Sequence, residues 1–132
     1  MKLVVEEEGS DLAAALWDGC DRAMSSRLAY PEVRAALAAA GRNRDVDERD
    51  LADAERTWEG LWSTMWPIEL TAHVERRSGD LAKQHGLRGG DAVHLASMLV
   101  PTTAPLLVAA WDHRLRRGCV AERLALAPAR LA

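Results

Sequence analysis

A chain of 132 residues has the length of one domain and can bury a core without disulfides or a structural metal. With 48% hydrophobic and 28% charged residues and a net charge of −3, its composition is that of a globular protein and excludes the collagen-like, disordered and membrane classes. Its longest apolar runs, 12–17, 35–40 and 106–111, fall far short of the ~20 residues that cross a bilayer.

No basic start followed by an apolar stretch and a small-residue cleavage site is found, so a cytoplasmic chain with no membrane segment is expected. Cys20 and Cys119 stand outside any CxxC or Cys/His zinc spacing and read as thiols in a reducing compartment, with a disulfide left open. Fifteen of the seventeen basic residues are Arg, whose planar fork binds two phosphate oxygens better than Lys. The clusters Arg42/Arg44, Arg76/Arg77 and Arg114/Arg116/Arg117 read equally well as solvated helix faces.

In chain order, Glu6 to Glu8 form an acidic turn, and Ser10 is expected to cap a helix over 10–17 that Gly19 stops. A short strand is expected over 23–27. Pro31 suits the first turn of a helix that carries Val33, Ala36, Leu37 and Ala40 and ends at Gly41. Leu51, Ala54, Trp58, Leu61, Trp62 and Met65 recur at steps of three and four, which predicts a long amphipathic helix over 47–65. A brief strand is expected over 66–70. Thr71 caps the next helix, to residue 85, and Gly86 ends it. Gly89-Gly90 precedes a helix over 91–100. The apolar run 106–111 suits a strand buried on both faces, as in a parallel sheet. A short helix over 113–117 and a strand over 124–127 close the chain. Strands alternating with helices indicate an α/β domain with a mostly parallel sheet.

Three carboxylates stand out. Glu32 is at the start of a helix that follows a strand, Asp91 opens another helix, and Asp112 directly follows the strand over 106–111. Ligands of open α/β sheets bind at the carboxyl ends of the strands, so these acids are candidates for one cleft. Clustered carboxylates repel unless a cation joins them, and the hard ions Mg²⁺ and Mn²⁺ favour oxygen ligands. The plainer explanation is local: acids in a first helical turn oppose the helix dipole, and Asp is a good N-cap. His94, three residues after Asp91, reads either as a carboxylate partner or as a packing residue. Trp58, Trp62 and Trp66, spaced by four, read as core or interface in preference to RNA-stacking rings. Gly89-Gly90 lacks the Lys-Ser/Thr of a phosphate-binding loop, and no GxSxG nucleophile elbow occurs.

The segments SRLAYPEVRAAL at 26–37, GLRGGDAVHLA at 86–96 and LVAAWDHRL at 107–115 resemble, in order and spacing, those carrying the second, third and fourth active-site acids of PIN-domain ribonuclease toxins of the VapC type. The middle one is the most specific. The resemblance extends over nearly the whole chain. It implies a single PIN-like domain over 1–132, an α/β three-layer fold with a mostly parallel central sheet flanked by helices. It implies an endoribonuclease dependent on Mg²⁺ or Mn²⁺, belonging to a bacterial toxin–antitoxin pair. A small antitoxin protein would block its site, and a homodimer or a hetero-oligomer with the antitoxin is expected. Residue by residue, Glu32, Asp91 and Asp112 carry over as catalytic, metal-site acids. Arg27, Arg88 and Arg114 are candidates for RNA phosphate contact, and Ser25 or Ser26 for polar support.

The family pattern also begins with a strand ending in an acid, of the form Leu-Asp-Ser/Thr-Ser-Ala-Leu-Val-Lys-Leu. This sequence opens MKLVVEEEGS, in which only Lys2-Leu3 match the end of that pattern. The resemblance thus implies that the first strand and first acid are missing, with weak or absent activity in this form. A start assigned at an internal Val codon and a genuine truncation both remain open. The second would make the chain a non-catalytic module that binds an antitoxin.

Overall fold

The computed structural model describes residues 1–101 and 105–132. It is a mixed α/β chain of six helices and four short strands among the described residues. Two compact units can be distinguished, one built of Met1–Met24 with Ala29–Trp66 and the other of Ser25–Leu28 with Pro67–Ala132.

The first unit contains α1 (Ser10–Gly19), α2 (Ala29–Arg42) and α3 (Glu48–Thr64). The start of α1 corrects one expectation. Its N-cap is Gly9, at φ 90°, and Ser10 is the first helical residue. The Ser10 hydroxyl instead accepts from the Glu7 amide (3.0 Å) and donates to the Val5 carbonyl (3.2 Å), closing the acidic turn. A non-glycine residue would be strained at the left-handed φ of position 9. The start of α3 follows the usual capping logic: Asp47 is its N-cap, and its carboxylate accepts from the Asp50 amide at 2.8 Å.

The periodic apolar face of α3 packs against α2. Leu37, Ala54 and Trp58 form the buried centre, and Tyr30, Val33, Leu51, Leu61 and Trp62 close around it. Tyr30, Trp58 and Trp62 make an aromatic cluster with ring centroids 5.5–6.2 Å apart, the spacing at which ring quadrupoles attract. The core reading therefore holds for Trp58 and Trp62, whereas Trp66 is 57% exposed.

The second unit contains α4 (Ala72–His85), α5 (Gly89–Met98), β3 (Leu107–Ala109), α6 (His113–Ala121) and β4 (Ala125–Ala127). Thr71 caps α4 through the Val74 amide at 3.3 Å, and Gly86 ends it at φ 63°. Val74, Leu81, Leu87, Leu95, Val108 and Cys119 are the main members of one buried cluster. β3 and β4 pair in parallel, with Val108 opposite Leu126, as the crossover through α6 requires. The reading of 106–111 as a strand buried on both faces is corrected: in β3 only Val108 is buried, and Leu107 is 53% exposed. The final helix is longer than the expected 113–117, running to Ala121.

β1 (Met24–Ser26) and β2 (Trp66–Ile68) pair with each other, so the strands form two two-stranded sheets, β1–β2 and β3–β4. No described helix is long and apolar enough to cross a membrane.

Candidate functional site

Asp91 lies in the second unit, where Gly86, Leu87 and Arg88 turn the chain from α4 into α5. Gly86 supplies the left-handed backbone, Leu87 is buried in the core, and Arg88 is the extended N-cap of α5. The helix begins at Gly89, two residues before the expected start, so Asp91 stands in its first turn instead of opening it. The side chain is half-buried. In that turn a carboxylate meets the positive end of the helix dipole.

Asp112 is the N-cap of α6. One carboxylate oxygen, Oδ1, accepts from the amides of Arg114 and Leu115, both at 2.9 Å. The residue is exposed. A feature that sequence reasoning missed fixes this strand-to-helix junction. Arg116 is 9% exposed, so it is no part of a surface basic cluster. Its guanidinium donates to the carbonyls of Ala110 (2.7 Å), Pro128 (2.8 Å) and Ala129 (3.4 Å). It thereby ties the residue two before Asp112 to the chain that follows β4. Nothing in the local sequence sets Arg116 apart from its exposed neighbours Arg114 and Arg117, because its acceptors are backbone carbonyls distant in the chain.

α5 and α6 pack closely. A Cβ at Gly118 would meet Leu95 Cδ2 at 2.9 Å and Leu87 Cδ1 at 3.3 Å, and buried Cys119 Sγ lies 3.8 Å from Met98 Sδ. Burial pushes the Cys119 thiol up from its ordinary value, away from the reactive thiolate. Both cysteines are free. Glu122 accepts from His85 Nε2 at 3.0 Å and from Arg77 at 3.4 Å, partners 37 and 45 residues away that no local pattern in the chain marks.

Glu32 belongs to the first unit. α2 begins at Ala29, so Glu32 is the fourth helical residue, in the first turn and exposed. Tyr30 and Arg34 of the same helix donate to Glu59 of α3, Tyr30 Oη at 2.7 Å and the Arg34 guanidinium at 2.9 Å, and the hydrogen bond to Glu59 raises the Tyr30 phenol.

The remaining candidates differ in availability. Arg88 and Arg114 are exposed. Arg27 is exposed but engaged: its guanidinium clasps Glu69 at 2.6–3.1 Å. Ser26 is 3% exposed, and its hydroxyl accepts from the Leu28 amide at 3.2 Å. Ser25 is half-buried. Among the described residues no three His, Cys, Asp or Glu side chains gather into a group that would hold a metal ion.

These features define a mixed α/β protein with carboxylates in the first turns or at the caps of helices, one of them three residues past the end of a parallel strand. No family model matches the chain. It is 60% identical over 131 residues to Ribonuclease VapC45 of Mycobacterium tuberculosis strain CDC 1551 / Oshkosh, and equally to Ribonuclease VapC49 of strain ATCC 25618 / H37Rv. Each alignment covers 99% of this chain and 91% of the relative. The chain belongs to the VapC ribonuclease family.

Proposed function

We propose that this protein is an endoribonuclease toxin of a bacterial toxin–antitoxin pair, acting in the cytoplasm. The observation that carries the reading is the 60% identity to two named ribonucleases over 99% of the chain. The three acid-bearing segments support it from the sequence side. Glu32, Asp91 and Asp112 are proposed as the catalytic carboxylates, on the strength of those segments.

Mg²⁺ or Mn²⁺ is proposed as the cofactor from the same resemblance, since both ions favour carboxylate oxygens. Bound by such acids, the ion would supply charge neutralisation at the scissile phosphate. The protein's own contribution is the placement of Asp112. Its Oδ1 is taken by two backbone amides, which hold the carboxylate in one orientation with Oδ2 outside those bonds. Arg88 and Arg114, both exposed, are proposed phosphate contacts. Arg27 is held by Glu69 through Nε and Nη2, which leaves Nη1 for a phosphate, and half-buried Ser25 is a more accessible hydroxyl than buried Ser26. The proposed partner is a small antitoxin protein that blocks the site, in a homodimer or a hetero-oligomer.

The test is cleavage of RNA in Mg²⁺ or Mn²⁺ by this chain and by a version extended upstream with a strand ending in Asp. Cleavage by either form that Asp91→Asn lowers by about 100-fold or more supports the reading, that being the scale at which a positioned catalytic group acts. If neither form cuts while both bind a small partner protein, the chain is a binding module.

A further inference from the structure

Trp66 departs from the other tryptophans of its helical series. Trp58 is 5% exposed, whereas Trp66, just beyond the end of α3, is 57% exposed. Its indole does not stand alone. The Arg22 guanidinium lies 3.6 Å from the ring centroid. Beside the pair a cleft of about 330 Å³ opens, whose walls include Trp17, Asp21, Arg22, Thr64 and Trp66. All these residues belong to the first unit.

The backbone around the cleft is fixed. The Trp66 amide donates to the Ala23 carbonyl at 2.9 Å. Cys20 Sγ donates to the Trp17 carbonyl at 3.2 Å, and the Thr64 hydroxyl to the Leu61 carbonyl at 3.0 Å. The cleft thus combines a flat apolar ring, a cation stacked on it, and polar walls that include a carboxylate. A site for burying another protein's apolar anchor would be walled by apolar side chains. Unpaired RNA bases ask for the opposite mixture: they stack on aromatic rings or Arg planes and are read by hydrogen bonds at their edges.

We infer that this cleft receives one unpaired base of the RNA substrate. The inference rests on the ribonuclease reading above and adds a substrate contact to it. The base continues the Arg22–Trp66 stack, and the Arg22 charge offsets the adjoining phosphate. Asp21 is an acceptor only, so it favours bases that turn an exocyclic amino group towards it, namely adenine, cytosine and guanine, over uracil, whose single edge donor, N3–H, is flanked by two carbonyl oxygens that repel a carboxylate.

The experiment is equilibrium binding of fluorescent single-stranded oligoadenylate, oligocytidylate and oligouridylate to the full chain, with folding of each variant checked by circular dichroism. Trp66→Ala is expected to weaken oligoadenylate or oligocytidylate binding roughly tenfold, and Trp66→Phe to retain most of the affinity. Arg22→Ala is expected to weaken all three oligomers, and Asp21→Ala to abolish the preference against oligouridylate. The inference is overturned if folded Trp66→Ala and Arg22→Ala both bind RNA within about twofold of the parent chain. It is also overturned if they lose only the capture of a small partner protein, which would make the surface a protein interface. Either result with RNA cleavage intact leaves the ribonuclease reading standing. A parent chain that neither binds nor cuts RNA removes both.

Discussion

Substitution can separate the cap role of Asp112 from its proposed catalytic role. As the N-cap of α6 it accepts two amides through Oδ1, and as a proposed catalytic acid it supplies a negative charge. Asn keeps the cap and loses the charge; Ala loses both. Asp112→Ala is therefore expected to cost about 1 kcal/mol of stability, and Asp112→Asn a few tenths at most. Both should abolish cleavage, so thermal melting and RNA cleavage by the pair distinguish cap from catalyst. If Asp112→Asn cuts normally, the residue is a cap alone. Arg116 is a structural residue of a different kind. Its removal leaves the Ala110 and Pro128 carbonyls, bonded at 2.7 and 2.8 Å, without their charged donor. Arg116→Met is expected to lower unfolding free energy by about 2–4 kcal/mol, since bonds to charged groups are worth ~1.5–3 each and buried acceptors are costly to orphan. A denaturant titration reads this, and Arg116→Lys should recover part of the loss.

At the scale of elements, the ends of β1 and β2 are clasped by side chain as well as backbone. Just beyond β1, the Arg27 amide donates to the Ile68 carbonyl at 3.1 Å, and the Arg27 guanidinium holds Glu69. That hydrogen bond keeps the Glu69 carboxyl below its ordinary value of 4.5. A depressed carboxyl pKa contributes stability that is present above the unfolded value and lost as pH falls through the folded one. The clasp should therefore be fully made at neutral pH and released below pH 4.5. A carboxyl-carbon NMR titration of Glu69 is expected to show the lowered midpoint, and Arg27→Ala to return it upward. An unchanged midpoint in that variant would remove the assigned cause. Both side chains are largely solvated, so the pair contributes little to stability. As a proposed phosphate contact, Arg27 keeps Nη1 outside the clasp, since Glu69 takes Nε and Nη2.

For the whole molecule, a net charge of −3 means that RNA association depends on local arginines and not on an overall positive field. Binding should be salt-sensitive but shallow. Two or three neutralised phosphates on a single strand give a slope of log K against log salt of roughly −1.4 to −2.1. Titrations between low and physiological salt check this. A slope near zero would show that arginine–phosphate contact plays no part, and a steep one that far more of the arginines are engaged.

The sequence by itself determined the order of the elements and some of their caps. Periodicity placed α3, Thr71 and Gly86 marked the two ends of α4, and the acid-bearing segments pointed to the family that the 60% identity then established. These features are local, set by backbone preference and by side chains three or four residues apart, so they are written in short stretches of sequence. Only the tertiary structure decided which similar residues do different things. Trp58 is core and Trp66 is exposed under Arg22, although both belong to one four-residue series. Arg114 faces solvent while Arg116 is buried on three carbonyls. Leu107 is exposed within an apolar run that reads as buried. Each outcome depends on partners far away in the chain, which burial and hydrogen-bond satisfaction select only once the elements have packed.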